Sequence, residues 1–382
     1  MWRCGLGLTI AASLGAPGGA APMLAMQDLF TAGAEGYAAY RIPGIIVTAR
    51  GVVLAYCEAR RDSASDWADI DLLLRRSTDG GATWGPRQLL AAEGTHTVNN
   101  PVAIADHDGS VHFLYCVEYA RCFYRRSDDD GQSFSPPVEI TSTFERFRPE
   151  YDWNVCAPGP GHGIQLRSGR LLVPVWLSTG GKAHRPSIVS VIYSDDRGAT
   201  WQRGEVVAWN SPETPNPSET AAVQLAAGGV LLNIRNESPR RRRLVSLSAD
   251  GATGWSPPTF HEQLYEPVCM AGLLHLAPRP GDPPDVLLYS HPDSEGRASP
   301  TEWSGARENL TLRLSTDGGA TWPTARVLDP GPAGYSDLAE GPDGTIYCFY
   351  ERGRAGENVF HPQHLTVARL NRDWVTGGGE GP

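Results

Sequence analysis

One short phrase occurs five times in this chain, and a chain that repeats itself is confined to architectures built from repeating units. Ser77-Thr78-Asp79-Gly80-Gly81-Ala82-Thr83-Trp84 returns almost unchanged from Ser315 to Trp322, and variants start at Ser127, Ser194 and Ser248. The shared pattern is S-x-D-x-G-x-x-W. The Ser127 copy closes on Phe134, and the Ser248 copy carries Ala252 in the glycine place. Each copy follows a β-like run: Ile70 to Arg75, Cys122 to Arg126, Ser187 to Tyr193, Leu244 to Leu247 and Leu310 to Leu314. Ser and Asp side chains hydrogen-bond nearby backbone groups, glycine supplies a positive φ, and the aromatic ring anchors the turn on its own strands. The phrase is a turn.

The five serines lie 50, 67, 54 and 67 residues apart. Four short strands with their turns need about 40–50 residues, which is one propeller blade. The spacing predicts an all-β chain, a β-propeller of four-stranded antiparallel blades, with the longer intervals free to carry functional loops. Calcium is the competing use for Asp-rich glycine turns. If Gly131 were the sixth residue of an EF-hand loop, the first would be Arg126, so that reading fails.

Within 382 residues one large domain or two ordinary ones would fit, and repeats spread along most of the chain favour one closed toroid. The net charge of −10 argues against nucleic acid as a partner, and no aromatic-studded basic patch offsets it. No run is long and apolar enough to span a membrane. Seven cysteines, an odd number without paired spacing, read as buried free thiols, and no zinc-like CxxC pair occurs, so neither metal nor cofactor is expected. Arg3 and the small, modestly apolar residues after it resemble a weak secretory signal. The alternative is a disordered leader or an over-extended start, with Met23 or Met26 as the first residue. The expected division is a leader over 1–25, one catalytic domain over 26–372 and a flexible tail over 373–382. The compartment is secreted if the signal is real and cytoplasmic if it is not.

Function must come from the intervals. Arg41 enters a β run just ahead of Ile42-Pro43, where charge is unusual, and Glu58-Ala59-Arg60-Arg61 is followed by an acidic loop from Asp62 to Asp71. Acidic loops are commonly just solvated. Thr97-Val98-Asn99-Asn100-Pro101 reads as a turn, and Gly159-Pro160-Gly161-His162-Gly163 as a tight loop in which His162 is structural. Glu219 and Arg235 each sit at the mouth of a β-like run, and the four arginines at 240–243 read as a solvated turn. Arg307 again precedes a strand, and Tyr335 and Glu351 lie beyond the last repeat. Arg41, Asp66, Glu219, Arg235, Arg307, Tyr335 and Glu351 all avoid the repeats. In a propeller they would gather at the end opposite the repeat turns, around the axis.

From about residue 35 to 370 the chain resembles the exo-α-sialidase (neuraminidase) family of bacteria and animals. The repeats resemble that family's Asp boxes, which mark a six-bladed propeller whose last blade is closed by the N-terminal segment. Tyr40-Arg41-Ile42-Pro43 resembles the family's Y/F-R-I-P, whose Arg begins a triad that grips the sialic acid carboxylate; Arg235 and Arg307 fit its other two members. By the same resemblance Asp66 is the acid/base, with Asp69 and Asp71 as neighbours, Tyr335 the nucleophile, Glu219 its base, and Glu351 the residue that orients Arg41. Asn100 and the 159–163 loop resemble elements near the pocket, and Trp67 either covers the sugar or the aglycone or serves packing.

The chemistry explains such a set. Guanidinium groups match a carboxylate in fork geometry, and a neutral phenol escapes the repulsion that a carboxylate nucleophile would meet from the substrate's own carboxylate. Sialidases with a Tyr nucleophile are a known exception to the two-carboxylate pattern of glycosidases. The resemblance implies retaining hydrolysis of terminal α-linked sialic acid from glycoproteins, glycolipids such as gangliosides, or oligosaccharides, by a chain that can stand as a monomer. The alternatives are a trans-sialidase of the same fold and a non-catalytic sialoglycan-binding propeller.

Overall fold

The repeated turns sit where strands end. In the computed structural model of the chain, which describes residues 21–299, 301, 304–358 and 360–377, the strand before each phrase runs on to its serine. β1 (Leu24–Thr31) is followed by the antiparallel meander β2 (Ala39–Val47), β3 (Val53–Arg60), β4 (Ile70–Ser77) and β5 (Gln88–Ala91). A second meander comprises β6 (Val98–Ala105), β7 (Val111–Val117), β8 (Arg121–Ser127) and β9 (Val138–Glu139), and a one-turn helix α1 (Thr141–Glu145) comes next. β10 (Val155–Pro158) begins the third sheet, and β11 (Gly161–His162) crosses back to pair in parallel with β6. β12 (Ile164–Gln165), β13 (Leu171–Ser178), β14 (Ser187–Ser194) and β15 (Gln202–Arg203) complete that third sheet.

The fourth sheet is β16 (Thr220–Gln224), β17 (Val230–Ile234), β18 (Arg242–Ser248) and β19 (Thr259–Tyr265). The last contains β20 (Gly272–His275), β21 (Leu287–Pro292), β22 (Glu308–Ser315), β23 (Thr324–Glu340), β24 (Ile346–Arg352) and β25 (His364–Leu370), with β1 added antiparallel to β25. The long β23 pairs with β22 through its first half and with β24 through its second. A short helix α2 (Arg372–Val375) follows. The chain is all-β, built of antiparallel sheets.

Its apolar core is divided among the faces between sheets. Leu54 and Leu72 of the first sheet pack with Phe113 of the second, Leu114 of the second with Val173 of the third, and Val191 of the third with Leu232 of the fourth. Leu231 of the fourth then meets Leu287 of the last, and Phe349 of the last packs back on Ile45 of the first. Each sheet therefore buries both faces, which is why strands such as β3, β7 and β13 are buried at every residue.

The turn chemistry repeats in atomic detail. Ser77 Oγ accepts the Gly81 N–H at 2.8 Å and donates to Asp79 Oδ1 at 2.7 Å, while Asp79 accepts from Thr83 N–H and Oγ1 at 2.9 and 2.6 Å. The copies at Ser127, Ser194 and Ser315 make the same bonds within about 0.1 Å. These four place two successive residues at positive φ, for example Gly318 and Gly319. In the Ser248 copy the serine accepts from Gly251, one position earlier, so Ala252 never needs a positive φ.

Several expectations change. Asn99-Asn100-Pro101 is not a turn but part of β6, distorted where Asn100 takes φ 53°. Arg243 is no solvated turn residue: it is fully buried, donating to Glu266 and the Asn233 side chain at 2.6 Å each, because Glu266 returns from more than twenty residues downstream. β1 starts within the stretch assigned to a leader, whose residues 1–20 lie outside the described ones. At the other end α2 falls within the expected tail, with Trp374 and Val375 buried. The six described cysteines are buried free thiols.

Candidate active site

Strand register separates the two ends of the sheets. At one end Val53 faces Ser77 and Leu287 faces Ser315; at the other Arg41 faces Glu58 and Glu219 adjoins the start of β16. Several strands are irregular at this second end. Register shifts between Arg41 and Gly44 in β2, between Asn99 and Val102 in β6, between Glu308 and Leu310 in β22, and between Ala333 and Ser336 in β23. A bulge inserts a residue and re-aims its side chains, and each of these bulges adjoins one of the singled-out residues. Ile42, Asn100 and Asn309 hold positive φ at 59°, 53° and 66°. For β-branched Ile42 that is strain, kept because Glu351 accepts its N–H at 3.3 Å.

A cavity of about 620 Å³ opens at this end and is lined by Arg41, Asp66, Glu219, Arg235, Arg307 and Tyr335, with Trp67 and Asn100 also on its wall. The Tyr335 hydroxyl donates to Glu219 at 2.6 and 2.8 Å to its two oxygens, and Arg235 donates to the same hydroxyl at 2.6 Å and to Glu219. Arg41, Arg307 and Arg235 place their guanidinium carbons 5.1, 5.2 and 5.9 Å from the centre of the Tyr335 ring. Three guanidinium groups and one phenol thus share one floor. Glu351, itself buried, takes Arg41 Nε at 2.9 Å and the Tyr335 N–H at 3.1 Å, so it fixes two members at once. Arg307 donates to the Val268 carbonyl at 2.6 Å and lies against Phe360.

Burial is the largest influence on Tyr335 and pushes its hydroxyl well above the ordinary phenol value; Arg235, Arg307 and Arg41 oppose it and Glu219 adds to it. Asp66 stands differently. Enclosure among the pocket walls pulls its carboxyl upward, but Arg60 at 2.9 Å and Arg41 at 3.5 Å outweigh that and hold it below the usual carboxylate range, although its side chain is 46% exposed to the cavity. Trp67 packs on Tyr119 and His184 with ring centres 4.9 and 5.5 Å apart. Asn100 donates its N–H to Glu58 at 2.9 Å and its side chain to the Pro158 carbonyl. Asp69 and Asp71 turn away: Arg61 pairs with both, and Tyr37 donates to Asp71 at 2.6 Å.

The BNR repeat-like domain family matches residues 52–348. A sialidase of Micromonospora viridifaciens is 31% identical across 94% of this chain and 56% of its own length. Sialidase-3 of Bos taurus is 30% identical across 83% of this chain and 87% of its own.

The chain belongs to the sialidase family.

It spans 61% of the length of a second bacterial sialidase relative, from Bacteroides fragilis, and so is shorter than both of those bacterial relatives. Among solved structures, the Hadza microbial sialidase Hz136 superposes with a TM-score of 0.72 at 26% identity, covering 89% of this chain and 67% of that one. An intramolecular trans-sialidase from Ruminococcus gnavus superposes at 0.73 with 18% identity, covering 93% and 98%, and shares the fold.

Several residues that line or support the pocket of this sialidase-family chain were not among the sequence candidates. Glu58 and Arg60, buried on one face of β3, back Asp66 through Arg60, which holds Glu58 at 2.7 Å. Their signal was two opposite charges two apart in an otherwise apolar strand. The β13–β14 loop brings Lys182, His184 and Arg185 to the wall, with Glu237 facing Arg185, and nothing local announces this. Asp337, two residues after Tyr335, accepts the Ile45 N–H at 3.0 Å and holds His162 at 2.7 Å. It ties β23, β2 and the 159–163 loop together beneath the floor. Among the described residues no cluster of three or more His, Cys, Asp or Glu could hold a metal, and no helix is long and apolar enough to cross a membrane.

Proposed function

We propose that this chain is a retaining exo-α-sialidase that releases terminal α-linked sialic acid through Tyr335. The observation that carries the reading is the Tyr335 hydroxyl, held by Glu219 at 2.6 Å on a floor ringed by Arg41, Arg235 and Arg307. A buried phenol is neutral and a weak nucleophile, so it needs a base, and Glu219 lies in hydrogen-bond reach. Arg235, donating to the same oxygen, stabilises the charge that develops as the proton moves to Glu219. The oxygen then attacks the anomeric carbon while the three arginines hold the substrate carboxylate.

Asp66 protonates the departing glycosidic oxygen and afterwards takes a proton from the attacking water. Its lowered pKa suits the second role more than the first. A substrate carboxylate that engages Arg41 weakens the hold of Arg41 on Asp66 at 3.5 Å and lets the carboxyl protonate more readily. Glu351 offsets part of the positive charge that three clustered arginines would otherwise leave buried.

The same reading covers the architecture. The seven-stranded sheet divides within β23 into two blades, which with the other four sheets makes a six-bladed propeller closed by β1 on β25, and the five turn phrases are its Asp boxes. Residues 26–372 form one catalytic domain on this account, working as a monomer on sialylated glycoproteins, glycolipids or oligosaccharides.

An NMR time course of sialyllactose hydrolysis tests the reading. The α anomer of free sialic acid should appear first and mutarotate later. Release of the β anomer first would exclude a covalent Tyr335 intermediate, and no release by folded protein would favour the glycan-binding alternative.

A further inference from the structure

Among the described residues five Arg and Lys side chains line the cavity, and three of them have carboxylate partners: Arg41 with Glu351 and Asp66, Arg235 with Glu219, and Arg185 with Glu237 at 2.6 Å. The other two, Arg307 and Lys182, have no carboxylate partner among the described residues. Arg307 belongs to the floor and to the substrate carboxylate. Lys182 comes from the third sheet, in the short turn Gly181–Ala183 between β13 and β14, and its exposed Nζ lies 5.8 Å from the centre of the Trp67 ring. Trp67 directly follows Asp66 and is backed by Tyr119 and His184, so its ring is a fixed plate beside the carboxyl.

The position fixes what meets Lys182. A general acid must touch the glycosidic oxygen, so the group that leaves lies next to Asp66, along Trp67 and within the sweep of the lysine. An ammonium on a four-carbon stem gives up a loose contact with an indole for an anion at small conformational cost. In a chain of net charge −10, a cation left uncompensated at this place points to a negatively charged partner.

We propose that Trp67 and Lys182 form a leaving-group subsite that favours aglycones carrying an anion on the sugar directly attached to the bond cleaved. The shared chemistry is a carboxylate or sulfate at that position, supplied by a penultimate sialic acid or by a sulfated galactose. This rests on the reading of Asp66 as the acid. Attraction between partly exposed charges falls with ionic strength, so the preference is strongest at low salt.

Steady-state kcat/KM values on sialyllactose, its 6-sulfated galactose form and α2,8-linked disialic acid, for wild type and Lys182→Gln, test the subsite. The kcat/KM ratio of each anionic-aglycone substrate to sialyllactose, whose aglycone is neutral, should fall roughly 5–10-fold in the variant at low salt, mostly through KM, and the difference should shrink in 0.5 M NaCl. Loss on both anionic substrates assigns the subsite to anions in general, and loss on one alone assigns it to that source. A ratio unchanged by Lys182→Gln on both overturns the proposal while leaving the sialidase reading intact. If wild type cleaves none of the three, the sialidase reading falls and the subsite falls with it.

Discussion

The two ends of the sheets are built on opposite principles. At the turn end the chain solves one problem five times with the same serine, aspartate and positive-φ glycine, and the bonds agree within about 0.1 Å in four of the copies. At the pocket end β2 and β23 break register, a β-branched residue takes positive φ and guanidinium groups crowd over a phenol. Regular hydrogen bonding stabilises the first end and has no chemistry to perform. The second gives up regularity to aim side chains, and long-range carboxylates such as Glu351 and Asp337 hold it in place. The comparison teaches that stability and activity should separate by end.

The largest separation is expected at Glu219. Glu219→Gln keeps the shape and removes the proposed base, so kcat on a fluorogenic sialoside should drop roughly 10²–10⁴-fold with little change in Tm. A loss of less than tenfold would remove Glu219 from the mechanism. Asp337 sharpens the comparison because it belongs to both problems, lying beneath the floor and tying β23 to β2. Asp337→Ala should lower kcat by about tenfold or more and also reduce unfolding stability by roughly 3–5 kcal/mol, since it strands the partners of a buried carboxylate. Asp337→Asn should restore more activity than stability, and denaturant melts beside kcat measurements separate the two.

At the other end, Ser315→Ala leaves the Gly319 N–H without its acceptor and should cost about 1–2 kcal/mol, a Tm fall of roughly 1–3 °C, with kcat/KM within twofold of wild type. A comparable loss of activity would break the separation of the ends. The smallest effect concerns pH. Burial pulls the His162 imidazole down, but Asp337 outweighs it and raises its pKa in the folded protein. The pair therefore contributes fully below about pH 6.5, the ordinary imidazole value, and its contribution fades as pH rises through the raised folded value. The Tm difference between wild type and His162→Gln should be larger at pH 6 than at pH 9.

What could be read from the chain follows the same division. The turns were legible because the hydrogen bonds of their serine and aspartate side chains lie within six residues, so the phrase itself carries the structure; even the Ser248 copy deviates for a local reason, the alanine at 252 where the regular copies put a positive-φ residue. Arg41, Asp66, Glu219, Arg235, Arg307, Tyr335 and Glu351 were legible through family resemblance, since nothing local brings Tyr335 to Glu219 across 116 positions. In two places the sequence misled about local structure. Arg243 looked solvated because Glu266 is remote, and Asn100-Pro101 looked like a turn because a bulge uses turn residues inside a strand. Lys182 gave no signal, since what sets it apart is that no carboxylate among the described residues pairs with it.

The most direct measurement is release of 4-methylumbelliferone from its α-sialoside by wild type and by Tyr335→Phe, with Tm recorded for both. The substitution keeps the ring that three guanidinium groups flank and removes only the hydroxyl held by Glu219 and Arg235. The account predicts turnover by wild type and a loss of several orders of magnitude in a variant that remains folded. Turnover by Tyr335→Phe within tenfold of wild type, or none by folded wild type between pH 4 and 8, would contradict it.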